Sequence, residues 1–171
     1  SEITRDIAAR YTDKIYGFQW VDDFAAARNF AFSKATKEYI YSADADEVLD
    51  EANRERFRLL KDSLMPEIEI VQMYYCNQLK FGSVYNYDRE YRPKLFKRIR
   101  TFTWIDPIHE TVRTQPVVFD SDIEIRHEQE ESHAKRDLAA FGRICSREGC
   151  LSGRLMDLYA RELFIAGERE D

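Results

Sequence analysis

The chain has 171 residues, enough for one domain with a sizeable core and too few for two complete ones. With 44% hydrophobic and 34% charged residues, and only 4 prolines and 6 glycines, the composition is that of a folded globular protein and excludes a low-complexity chain. A formal charge of -6, from 26 basic and 32 acidic residues, repels a polyanionic backbone, so no nucleic acid is expected as partner.

The first element reads as a helix, because Ile3, Ile7 and Tyr11 recur at fourfold spacing. Lys14 to Trp20 has the texture of a short strand, and Asp22 or Asp23 then caps a helix running from Phe24 to Thr36. Tyr39 to Ala43 is short, aromatic and apolar between two helical patterns, which predicts a central strand. It runs directly into Asp44-Ala45-Asp46-Glu47. A helix over Ala52 to Leu64 stops before Pro66. Strands are predicted at Ile68 to Tyr75, Tyr91 to Phe96, Phe102 to Trp104, Val117 to Phe119 and the alternating run Ile123 to His127. From about Ser132 the pattern turns helical, and a turn over Gly149 to Gly153 divides it into a hairpin that caps the domain or opens a helical repeat. The expected organisation is an α/β domain over residues 1–131 and a C-terminal helical hairpin over residues 132–171.

Cys76, Cys145 and Cys150 are odd in number and scattered, which suggests neither a disulfide framework nor a cysteine zinc site, so a reducing compartment is expected. No apolar run approaches the roughly 20 residues needed to cross a bilayer, so no transmembrane segment is expected. There is no glycine-rich phosphate loop, serine nucleophile elbow or dinucleotide fingerprint.

The acidic turn is the leading functional candidate, since open α/β sheets hold ligands at the carboxyl ends of their strands. A turning backbone lets Asp44 and Asp46 address one divalent cation, and hard carboxylate oxygens suit magnesium or manganese, Mg2+ or Mn2+, with a pyrophosphate completing the shell. An acidic loop capping the next helix, with Glu47 as helix-start charge, accounts for the same triplet. His109 and Glu110 are candidate bases, His127 a candidate metal ligand, Arg28 a phosphate grip and Asn29 a nucleotide or backbone partner. Each also has an ordinary structural role open to it. Trp104 is a core or cleft aromatic, with sugar stacking as its functional reading. Lys94, Lys97, Arg98 and Arg100 form a basic cluster that could meet a phosphate, with a solvated face of a strand or turn as the ordinary reading.

In order along the chain, Trp20 to Thr36 with its Arg28-Asn29 pair, Tyr39-Ile-Tyr-Ser-Ala-Asp-Ala-Asp-Glu-Val-Leu49, Arg92-Pro-Lys-Leu-Phe96 and Ile108-His-Glu110 together resemble the family 2 glycosyltransferases. The likeness is to bacterial members that join a GT-A domain to C-terminal helices or tetratricopeptide-like repeats, and it covers most of residues 1–131. It implies a Rossmann-like mixed sheet flanked by helices, and a metal-dependent, inverting transfer of sugar from a nucleoside-diphosphate sugar to an acceptor nucleophile. UDP-sugars are the first donors it suggests, while a glycan, lipid or peptide acceptor stays open. By the resemblance, Asp44 contacts donor sugar or ribose, Arg28 and Asn29 hold the nucleotide beside Trp104, Asp46 and His127 ligate Mg2+ or Mn2+, and Glu110, with His109, serves the acceptor. Members of this family normally open with a strand, a helix and a second strand, and this sequence opens after them, so a partial GT-A fold is expected. The parent is expected to be an enzyme, cytoplasmic or peripheral at the inner face of the membrane, with homo-oligomerisation open. An inactive nucleotide-sugar or protein-interaction module and a metal-dependent phosphohydrolase are the alternatives.

Overall fold

The computed structural model describes residues 2–76, 89–98, 104–105, 107–108, 111–112, 117–128, 134–149 and 151–166. Helix α1 (Glu2–Ala8) buries no residue. The run Lys14 to Trp20, read above as a strand, carries no ladder. Its rings pack on a helix instead: Phe18 lies 5.3 Å from Phe30 and Trp20 lies 4.7 Å from Phe24. An aromatic run can meet a helix surface as well as a sheet, which is why periodicity misled here.

Asp23 caps α2 (Phe24–Lys34) by accepting the Ala26 amide at 2.9 Å, which satisfies one donor left open at a helix start. Asp50 does the same for α3 (Glu51–Ser63), accepting the Asn53 amide at 2.9 Å. Strands β1 (Tyr39–Tyr41), β2 (Glu47–Val48), β3 (Ile70–Cys76), β4 (Arg89–Lys97) and β7 (Val118–His127) form one mixed sheet in the order β1-β4-β3-β7-β2, while β5 (Trp104–Ile105) and β6 (Thr111–Val112) form a separate two-stranded ladder.

Only β3 and β7 run parallel among these neighbours, so β1, β3 and β7 all point the same way and end at one edge. Three expectations change. The strand after α2 lies at an edge of the described sheet rather than its centre, because pairing order is a long-range property that a local pattern does not encode. The two strands predicted at 117–119 and 123–127 are one, with a register shift opposite Gln72/Tyr74 that interrupts the alternation. Lys94, assigned to a solvated face, is buried.

The sheet is covered on both faces. Phe57, Leu60 and Leu64, at i, i+3 and i+7 from α3 and its cap, pack on Val71, Met73, Tyr75, Leu95, Ile123 and Ile125. On the other face Ala25 and Phe32 of α2 meet Ile70, Phe96 and Trp104. Each fully buried aliphatic side chain here contributes about 1.5–3 kcal/mol relative to exposure. Buried Asn53 ties α3 to the sheet, its Oδ1 accepting the Glu124 amide at 2.8 Å. Helices α4 (Ala134–Glu148) and α5 (Gly153–Ala166) form a hairpin whose Ala140, Phe141, Ile144 and Leu155 enclose Ile108. None of the described helices is long and apolar enough to cross a membrane. Among the described residues there is no disulfide.

Candidate functional site

Helix α2 and the turn after β1 bring the first charged pair together. Ala25, buried with Ile70, Phe96 and Trp104, lets α2 sit close to the sheet, and Arg28 then reaches across to the turn after β1. Its guanidinium donates to Ser42 Oγ at 3.0 Å and to Asp44 Oδ2 at 3.1 Å, and its carbon lies 4.9 Å from the centre of the Trp104 ring. Burial alone would push the Asp44 carboxyl up, but the charge and hydrogen bond of Arg28, with Lys94 behind, hold it below the usual carboxylate range. Asp44 is therefore an oriented anion.

Asn29 uses both ends of its amide on the backbone of one residue: Nδ2 donates to the Trp104 carbonyl at 3.0 Å, and Oδ1 accepts the Trp104 amide at 2.8 Å. That fixes β5 against α2 and places the indole under Arg28. Trp104 packs edge-on against Phe32 and Phe96, and its indole N–H is buried without a hydrogen-bond partner among the described residues.

The second pair forms where β2 meets β7. Glu47 stands opposite His127 in the ladder, and the Glu128 amide donates to the Asp46 carbonyl at 2.8 Å. These backbone bonds bring Asp46 Oδ2 within 2.8 Å of His127 Nε2, and the imidazole rests on the Tyr75 ring at 5.1 Å. The contact joins residues 81 apart in sequence. Among the described residues no group of three His, Cys, Asp or Glu side chains is placed to enclose a metal ion. Asp46 and His127 still fit one: a carboxylate oxygen and an imidazole nitrogen suit Mn2+, and Mg2+ sites commonly use one or two carboxylates with substrate phosphates and water.

Asp44 and Asp46 thus sit on one turn with different partners, one held by Arg28 and the other by His127. Both pairs lie at the carboxyl ends of β1 and β7, the edge where α/β sheets carry ligands. His109 and Glu110 lie outside the described residues, between buried Ile108 and Thr111 of β6.

Glu47, read from sequence as helix-start charge, and Lys94, read as part of a basic cluster, instead form a buried ion pair with each other beside Asp44. Glu47 lies in β2, not at a helix start; Asp50 and Glu51 fill that role for α3. Burial and the Glu47 charge raise the Tyr41 and Tyr75 hydroxyls well above the ordinary tyrosine range. The available signal was Pro93: a proline inside a non-edge strand marks a bulge, and bulges re-aim side chains.

A family model described as glycosyl transferase family 2 matches residues 1–126. The chain belongs to glycosyl transferase family 2. The five-stranded mixed sheet between α2 and α3 is consistent with a partial GT-A fold of this family. Membership supports a nucleotide-sugar donor and an acceptor as the general partners of this family 2 chain. No curated protein matches it.

Proposed function

We propose that the Arg28, Asp44, Asp46 and His127 cluster is the donor site of a metal-dependent, inverting glycosyltransferase. The observation that carries this reading is the convergence of the Arg28–Asp44 and Asp46–His127 pairs on one strand-end edge of a family 2 chain. Asp46 and His127 would hold Mg2+ or Mn2+; when bound, such an ion neutralises charge that develops on the departing nucleoside diphosphate. Asp44 accepts hydroxyl hydrogen bonds from donor sugar or ribose, and Arg28 keeps it charged and aimed while presenting a cationic face to the nucleotide. Trp104 and Asn29 serve as the wall behind Arg28, with Asn29 acting through the Trp104 backbone.

On the acceptor side, Glu110 is assigned as base, with His109 beside it in sequence. The base takes the acceptor hydroxyl proton as the new oxygen–carbon bond forms at the anomeric centre, and the bond to the diphosphate breaks on the opposite face. That geometry inverts the centre. The reading puts the reaction in the cytoplasm, peripheral to the inner face of the membrane if the acceptor is a lipid.

Product analysis tests it. With a nucleoside-diphosphate sugar, Mn2+ and a glycan or lipid acceptor pool, the full-length protein should release nucleoside diphosphate in step with sugar appearing on acceptor. Release of inorganic phosphate without transfer would instead mark a phosphohydrolase and overturn the assignment.

A further inference from the structure

Lys94 touches both ends of the carboxylate turn. Its backbone carbonyl accepts the Ser42 amide at 2.8 Å, two residues before Asp44, and its ammonium pairs with Glu47, one residue after Asp46. The turn that carries both donor-site carboxylates is therefore closed at each end by one residue of β4. The sequence explains how a lysine comes to face inward. Val71 pairs with Leu95 and Gln72 with Pro93, so Lys94 is the extra residue of a bulge, at a point where proline has no amide to give the ladder.

The pair is expensive as a stabilising device. The Lys94 and Glu47 side chains are 7% and 1% exposed, and Glu47 Oε2 is buried without a hydrogen-bond partner among the described residues. Apolar residues of like volume at such a pair are commonly neutral or stabilising, whereas removing one partner alone is strongly destabilising. What apolar residues would not supply is a fixed separation between β4 and the turn. The Lys94 ammonium also lies 5.0 Å from the centre of the Tyr75 ring, the same ring that supports His127. The strut and the Asp46 partner thus share one buried support.

We propose that Lys94 and Glu47 form an internal strut that holds the Asp44-to-Asp46 turn in its donor-binding shape, making Lys94 a positioning residue for sugar transfer. The functional half of this rests on the donor-site reading above; the structural half does not. The test uses Lys94→Met, Lys94→Arg and the double variant Lys94→Met/Glu47→Met in the full-length protein. Three quantities are read in each: melting temperature, hydrogen exchange at the Ser42, Glu47 and Glu128 amides, and affinity for a panel of nucleoside diphosphates with Mn2+. The double variant should melt near the wild-type temperature yet exchange faster at those amides and bind about 10- to 100-fold more weakly, the usual cost of losing a group that orients metal ligands. Lys94→Arg should recover part of the affinity. A double variant with wild-type melting, exchange and affinity would overturn the proposal, because packing alone would then hold the turn. Lys94→Met that folds and exchanges as wild type would overturn it too. Wild-type protein that binds no nucleoside diphosphate would refute the donor-site reading, and the exchange measurements would still decide whether Lys94 holds the turn.

Discussion

Replacing Asn29 by alanine should destabilise the protein far more than a surface change on a helix would. The side chain makes two hydrogen bonds to the backbone of Trp104, donating one at 3.0 Å and accepting one at 2.8 Å, and Trp104 is 8% exposed. Alanine offers neither donor nor acceptor, so the Trp104 N–H and C=O lose their partner where water has little access. A buried polar group left unsatisfied costs about 1–3 kcal/mol, and allowing for partial relaxation the pair should cost about 2–4 kcal/mol. At about 2–4 °C per kcal/mol for a chain of this size, the melting temperature should fall by roughly 4–16 °C. Asn29→Asp keeps the acceptor for the Trp104 amide and loses the donor to its carbonyl, so it should fall between wild type and alanine. Urea unfolding monitored by circular dichroism measures all three. A loss for Asn29→Ala below about 0.5 kcal/mol, the range of ordinary surface substitutions, would mean that Asn29 does not anchor β5 to α2.

Met73 is fully buried between β4, β7 and α3, and Met73→Ala should cost about 2–5 kcal/mol in the same urea assay, from lost burial and a residual cavity. In α5, burial and then the nearby Asp137 charge raise the Glu162 carboxyl above its ordinary 4.5. A raised carboxyl favours the folded state most below pH 4.5 and loses that contribution as pH rises through its folded value, so Glu162→Gln should raise the melting temperature at pH 7 and lose this advantage on acidification. An equal effect at both pH values would place the cause outside titration. Glu110→Gln should lower kcat for transfer by about 100-fold or more while leaving donor affinity near wild type, as expected for loss of a general base, and wild-type turnover would remove Glu110 from that role.

The elements written in local chemistry were legible before the structure. The Asp22-Asp23 pair announces the start of α2, the run from Ala52 to Leu64 before Pro66 announces α3, and the run from Tyr39 into Asp44 and Asp46 announces a strand that ends in a charged turn. What depended on register was not legible. The approach of His127 to Asp46 follows from a two-residue ladder between β2 and β7, and no pattern within either segment specifies that pairing. Lys94 was misplaced for a related reason: among Lys97, Arg98 and Arg100 it looks like one more surface cation, and only the bulge after Pro93 turns it to Glu47. Asn29 was read as a nucleotide or backbone partner, and the structure gives its amide to a backbone 75 residues away.

Calorimetric titration of the full-length protein with a panel of nucleoside diphosphates, with and without Mn2+, and repeated for Asp46→Ala, tests the donor site most directly. The account predicts binding that needs Mn2+ in the wild type and is lost in Asp46→Ala, while the variant keeps its wild-type melting temperature. Binding of equal strength without metal, or unchanged by removing Asp46, would contradict it.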